Sequence, residues 1–170
     1  MIVMKFGGTS VESAAAIQRV AQIVKARLSR KPVVVVSAMG KTTNKLLEIA
    51  RTATAGNRDQ ALGLLYKLRD FHLAESGMER TVEEHFQELS ELVKGLAILG
   101  ELTPRSIDAV SSFGERLSRL IVTRYFQLAG LPAVHLDARK VIVTVKRNSQ
   151  AAPLYAETYA RLSEAIPALA

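Results

Sequence analysis

A lysine, two glycines and two hydroxyl residues stand together near the start of the chain, in the run Lys5-Phe6-Gly7-Gly8-Thr9-Ser10. The β-prone residues before the glycines predict a strand, and Thr9 or Ser10 suits the N-cap of a following helix. Glycines let backbone N–H groups approach an anion, a helix N-terminus adds partial positive charge, and Lys5 adds a full charge. The run is therefore a candidate phosphate site, although a tight turn with a solvated Lys5 fits the same residues.

Glycine spacing excludes two widespread phosphate-binding motifs. Gly7 and Gly8 are not followed by the third glycine that the dinucleotide fingerprint G-x-G-x-x-G requires. The run Gly40-Lys41-Thr42 resembles the end of a Walker A loop, but the leading glycine of that motif would fall on Val35. The sequence thus argues against a Rossmann nucleotide site and against a P-loop NTPase.

Hydroxyl residues also follow a second strand candidate. Residues 33–36 are all valine, the pattern of a strand buried on both faces, and Ser37 comes directly after them. Thr43 and Asn44 open the next predicted helix. Ligands bind at the carboxyl edge of open α/β sheets, so these side chains are expected near Lys5. Thr43 or Asn44 would equally serve as the cap of that helix.

An acidic residue, Glu115, follows Phe113 and Gly114 in an otherwise apolar helical stretch. Its carboxylate is suited to receive a substrate ammonium group. The alternative is an exposed position paired with Arg119, four residues later on the same helix face. The run Ser111-Ser112-Phe113-Gly114 is expected to interrupt the helix just before this acid.

No metal site is predicted from the three histidines, His72, His85 and His135, because they are widely separated and show no ligand spacing. Cysteine is absent, which excludes thiolate chemistry and disulfides. The net charge of +7 comes from basic residues scattered among acidic ones, so nucleic acid is not expected as a partner.

The length of 170 residues and the 48% hydrophobic content fit one domain or part of one. No apolar run approaches the roughly 20 residues of a membrane helix, and a cytoplasmic location with no membrane partner is expected. Strand-to-helix alternation in the first forty or so positions predicts an α/β fold with a parallel sheet.

Further elements are expected along the chain. The first helix should run to about residues 29–31, and residues 44–99 read as consecutive helices that either project from the domain or pack on a sheet face. Thr103 and Pro104 predict a capped helix start. The remaining expectations are strands at 133–136 and 141–145, a helix at 155–165, and the opening of another strand at 166–170.

Three segments together resemble the signatures of the aspartate kinases, which belong to the amino acid kinase family. A fourth stretch is also similar, so the likeness covers about residues 1–145. The segments are residues 3–11, residues 34–44, residues 102–106 with 111–118, and the stretch formed by residues 136–139 and 141–144.

The resemblance implies a three-layer α/β/α sandwich with a mainly parallel sheet, incomplete here, in which residues 1–170 form the amino-terminal, acceptor-binding half of the kinase domain. It also implies transfer of the ATP γ-phosphate, with Mg²⁺ on the phosphates, to the side chain of L-aspartate. The product would be 4-phospho-L-aspartate, on the route to lysine, threonine and methionine. A homo-oligomer is expected for the full-length protein, and no activity is expected from these residues alone.

By the same resemblance, Lys5 matches the lysine that contacts the transferring phosphate, with residues 6–10 beside it. Ser37, Thr43 and Glu115 match the aspartate-binding positions. Val145 departs from the family, which usually places an acid there. Two alternatives stay open: a related kinase with another acceptor, such as glutamate, acetylglutamate, carbamate or UMP, and a non-catalytic module that binds phosphate-bearing ligands.

Overall fold

A computed structural model describes residues 1–145, 147 and 151–169. Strand β1 (Ile2–Phe6) pairs in parallel with β2 (Pro32–Val36), with Ile2 opposite Pro32 and Phe6 opposite Val36. Helix α1 (Ala14–Lys25) makes the crossover between them. The strand–helix–strand unit predicted for the beginning of the chain is therefore confirmed.

Helix α1 begins one turn later than expected. A 3-10 turn, Gly8–Val11, follows β1, and the N-cap of α1 is Ser13, whose hydroxyl accepts a hydrogen bond from Ala16 N at 3.2 Å. The prediction of a cap at Thr9 or Ser10 is wrong because the chain after β1 first passes over the loop that follows β2. Helix α1 ends at Lys25, and a short 3-10 turn, Leu28–Arg30, leads into β2.

The central helices form one core rather than an excursion. Helix α3 packs on α2 and α4, while α2 and α4 also contact α5, so a continuous apolar cluster joins these helices to α1. Packing is thus mainly helix on helix, with the sheet at one side. The bounds are α2 (Thr42–Thr54), α3 (Arg58–Ser76), α4 (Glu79–Leu99) and α5 (Pro104–Leu128).

Helix α5 is continuous over 25 residues, and its predicted interruption at 111–114 is wrong. The hydroxyls of Ser111 and Ser112 donate to the carbonyls of Ile107 and Ala109 at 2.7 and 2.8 Å, so these small residues stay within the helix. The predicted start is confirmed, since the Thr103 hydroxyl accepts from Ser106 N at 3.1 Å.

The last part of the described chain departs most from expectation. No strand forms at 133–136, and Asp137 instead caps a one-turn helix, α6 (Ala138–Val141), by accepting from the N–H of Arg139 at 3.0 Å. Only an isolated antiparallel bridge, Thr144 with Pro153, remains of the second expected strand. Helix α7 (Tyr155–Leu169) continues through Pro167, so the strand expected at 166–170 is wrong for its described residues.

The two faces of the sheet differ in burial. Met4, Phe6, Val34 and Val36 pack against the core, whereas Val3 is 71% and Val35 44% exposed on the other face. Residues 33–36 are therefore not buried on both faces, because the helices of the described chain cover one side only. This is the incomplete α/β layer arrangement that the sequence predicted. None of the described helices combines the length and apolar character needed to cross a membrane.

Glu75 ties the helical core to the crossover unit. Its carboxylate accepts from Ala14 N at 2.7 Å, at the start of α1, and its backbone carbonyl accepts from the Tyr125 hydroxyl at 2.7 Å. A carboxylate at this position also complements the positive end of the α1 dipole. The end of α3 is thus fixed to both α1 and α5.

A neutral histidine lies inside the helical core. His72 is completely buried, packs between Phe71 and Phe86, and donates from Nδ1 to the carbonyl of Leu68 at 2.8 Å. Its Nε2 has no partner in the described part of the chain. Burial lowers the pKa of His72, and the nearby Lys45 charge lowers it further.

The buried His72 predicts a loss of stability on acidification. Below a pH of about 6.5, His72 binds a proton in the unfolded chain but not in the folded one. The free energy of unfolding therefore decreases as the pH is lowered, by up to about 1.4 kcal/mol per pH unit. Urea unfolding of the 170-residue chain between about pH 7.5 and 5.5 measures this slope. His72→Leu should flatten the slope and His85→Gln should retain it; equal slopes in all three proteins would contradict the prediction.

Candidate functional site

Two loops meet at the carboxyl ends of β1 and β2. Ser37 N donates to the carbonyl of Phe6 at 3.2 Å, and Gly40 N donates to the carbonyl of Gly8 at 3.0 Å. A Cβ on Gly8 would lie 2.7 Å from Gly40 O and 2.8 Å from Ala38 O. The two loops can approach this closely only because Gly8 has no side chain. This steric requirement for glycine is stricter than that of a simple turn.

Helix α5 packs on the same loops through Gly114. A Cβ on Gly114 would lie 2.7 Å from Ala38 Cβ and 3.5 Å from Thr42 Cγ2. This close approach explains a glycine in mid-helix and places Glu115, the next residue, beside the edge of the sheet. The structure thus brings the three predicted segments together, those at residues 5–10, 37–43 and 115.

The residues of the first loop differ in what they can offer a ligand. The side chain of Lys5 is exposed on the uncovered face of the sheet, opposite Val35, and makes no hydrogen bond or ion pair within the described part of the chain. Phe6 packs its ring against the core. The N–H of Ser10 donates to Gly7 O at 2.9 Å, so Ser10 can reach a ligand through its exposed hydroxyl only.

The first turn of α2 carries two adjacent threonines in different settings. The N-cap is Lys41, without a side-chain cap bond, so neither Thr43 nor Asn44 is the cap that the sequence allowed. Thr43 is half-buried, while the Thr42 hydroxyl is fully enclosed and lacks a partner among the described residues. A buried hydroxyl without a hydrogen-bond partner is energetically costly.

Ser118, one helical turn after Gly114, also has a buried hydroxyl without a partner in the described chain. The burial of this hydroxyl is not predictable from sequence, because a serine within an amphipathic helix carries no signal of its own. It adds a second unsatisfied hydroxyl to the helix that packs on α2.

Glu115 is not paired with Arg119. Arg119 instead contacts Asp137, with its NH1 nitrogen 3.0 Å from Oδ2, while Arg116 makes a bidentate contact with Glu88 at 2.6 and 3.0 Å. No basic side chain of the described residues forms an ion pair with Glu115, which is exposed. Its carboxylate is left available for a cationic group.

The described residues contain no group of three acidic, histidine or cysteine side chains able to hold a metal ion. His72 and His85 both donate through Nδ1 to backbone carbonyls one turn earlier, Leu68 O and Thr81 O, each at 2.8 Å.

The chain belongs to the amino acid kinase family, whose model matches residues 1–169. The predicted fold class is confirmed by similarity to aspartokinase III of Escherichia coli. Its structure with lysine and aspartate has a TM-score of 0.88 at 26% identity, over 99% of this chain and 38% of that one. A second structure, with aspartate and ADP, has a TM-score of 0.87 at 27% identity, with the same coverage of both chains.

Among sequences, aspartokinase 2 of Arabidopsis thaliana, a chloroplastic protein, is 37% identical over 170 residues. That alignment covers 96% of this chain and 31% of the relative, so the chain spans about a third of the length of the relative it matches. The kinase family predicted from the motifs is confirmed.

Proposed function

We propose that this chain is part of an aspartate kinase, which transfers the γ-phosphate of ATP to the side-chain carboxylate of L-aspartate and gives 4-phospho-L-aspartate. The observation that carries the proposal is the meeting of the Lys5 strand end, the loop of Ser37 and the α5 segment of Glu115 at one sheet edge. The similarity to aspartokinase III of Escherichia coli supports it, since that protein binds aspartate in both structures and ADP in one of them.

The residues present suit phosphoryl transfer between two anions. Lys5 would neutralise charge on the transferring phosphate, with the backbone of residues 7–9 and the exposed Ser10 hydroxyl beside it. Mg²⁺ carried on ATP would supply further charge neutralisation. A carboxylate acceptor is ionised near neutral pH, so no side chain is needed to remove a proton from it.

Selection of the acceptor would depend on the loop of Ser37, on Thr43 after it, and on the α5 segment of Glu115. Glu115, which has no basic partner in the described chain, would receive the α-ammonium of aspartate. The hydroxyls of Ser37 and Thr43 would donate hydrogen bonds to its carboxylates. An acceptor without an ammonium group would leave Glu115 unpaired, which disfavours UMP and carbamate.

The proposal extends to the whole protein. We place residues 1–170 in the acceptor-binding half of the kinase domain, in a cytoplasmic homo-oligomer that opens the route to lysine, threonine and methionine. Relatives of about three times this length support a longer active enzyme. The 170-residue chain alone is expected to form no aspartyl phosphate.

A test of this function compares acceptors with the full-length protein. ATP-dependent trapping of acyl phosphate as the hydroxamate is expected with L-aspartate and not with L-glutamate, and ADP release is expected to stay at background with UMP. Glu115→Gln, which keeps the shape and removes the charge, should raise the KM for aspartate about tenfold or more and change the KM for ATP little. Preference for another acceptor would favour a related kinase, and no transfer at all would favour a binding module.

A further inference from the structure

Two arginines follow Glu115 on α5, and both contact other acidic residues. Arg116, the next residue, lies over the Phe113 ring and binds Glu88 of α4 through both terminal nitrogens. Arg119, four residues on, binds Asp137 at the start of α6. Neither guanidinium therefore forms an ion pair with Glu115.

Asp137 is built to hold Arg119. Its side chain is 13% exposed; its carboxylate accepts a hydrogen bond from the side chain of Arg139 at 2.7 Å and forms an ion pair with Arg119, whose NH1 nitrogen lies 3.0 Å from Oδ2. It also caps α6 by accepting from the backbone N–H of Arg139. The hydrogen bonds from Arg139, with the Arg119 charge acting in the same direction, hold the pKa of Asp137 well below its usual range. The Asp137 carboxylate is therefore ionised in the folded protein near neutral pH.

Without Asp137, the nearest acid along the helix for Arg119 is Glu115. A Glu with Arg four positions later is the favourable orientation for an ion pair on a helix, because the two side chains lie on one face. That pair would occupy the carboxylate, and even an unpaired Arg119 charge nearby would weaken its attraction for a cation.

We infer that Asp137 is a positioning residue for acceptor recognition: it holds Arg119 away from Glu115 and so keeps that carboxylate free for the substrate ammonium group. The inference rests on the proposed function, because it assigns the ammonium group to Glu115. Asp137 touches no substrate in this account and acts through Arg119 only.

The test uses the full-length enzyme and three variants. Asp137→Asn retains the N-cap and the shape of the side chain but releases Arg119, so the KM for aspartate should rise about tenfold while the KM for ATP and kcat change less than about threefold. Arg119→Gln should have nearly the wild-type KM for aspartate. The double variant D137N/R119Q should regain most of that affinity, because no guanidinium remains to occupy Glu115.

A purely structural role for Asp137 gives a different pattern. In that case D137N would raise both KM values or lower kcat, and R119Q would add to the damage rather than repair it; either result overturns the inference. Glu115→Gln distinguishes a failure of the Asp137 inference from a failure of the proposed kinase activity. If wild-type enzyme phosphorylates aspartate but E115Q leaves its KM unchanged, the Asp137 inference falls and the kinase activity stands. If no variant or wild-type enzyme phosphorylates aspartate, the proposed function falls.

Discussion

Replacing Lys5 by methionine in the full-length protein is expected to lower kcat about 10²- to 10³-fold, with a much smaller change in the KM for aspartate. The side chain is exposed at the carboxyl end of β1 and makes no hydrogen bond or ion pair in the described chain, so it contributes little to folding there. A full positive charge near a phosphate that passes between two anions stabilises the transition state more than the ground state. Single-turnover kinetics with ATP and aspartate measure the effect.

Lys25→Met is the matched control for this charge removal. Lys25 is also an exposed lysine, at the last position of α1, on the far side of the crossover from the loop contact. It should keep wild-type kcat, and both variants should keep the wild-type unfolding midpoint in urea. Equal kcat values for K5M and wild type would show that Lys5 does not act on the phosphate, and the strand-to-helix turn would then have only a structural role.

The parts of the site that sequence could predict are those with local causes. A strand followed by glycines, and a valine strand followed by hydroxyl residues, each dictate where the chain stops and turns. The rule that parallel strands share a carboxyl edge then brings Lys5 and Ser37 together without any tertiary information. The contact between Gly8 and Gly40 is the physical result of that rule.

The parts that sequence could not predict depend on contacts between distant residues. Gly114 reads as a helix breaker, yet α5 continues through it, and glycine is required there because Ala38 packs where a Cβ would lie. The ion pair between Arg119 and Asp137 cannot be predicted from sequence, because helical spacing favours Glu115 as the partner of Arg119. The run of valines at 33–36 predicts a strand buried on both faces. Val35 is nevertheless exposed, because the described helices cover only one face of the sheet, and the local sequence carries no information about that.

Gly8→Ala is expected to be the most damaging small substitution in the chain. The added methyl would lie 2.7 and 2.8 Å from two backbone oxygens, Gly40 O and Ala38 O, and backbone yields less readily than a flexible side chain. The loops after β1 and β2 would have to separate, with a loss of stability of about 2 to 3 kcal/mol. The displaced loop would also move Ser37 and the first turn of α2, so activity of the full-length protein should fall with it.

Gly7→Ala provides the matched comparison, because the adjacent glycine has neither a steric nor a conformational need to lack a side chain. Its backbone lies at φ −75° and ψ 173°, which alanine adopts freely, and nothing stands within 4 Å of an added Cβ. Alanine there should leave stability unchanged or raise it by up to about 1 kcal/mol, because it restricts the unfolded chain. Urea unfolding of both variants decides the point. A lower midpoint for G8A alone would show that close backbone approach makes Gly8 necessary, whereas equal midpoints would mean that the loops can move apart at little cost.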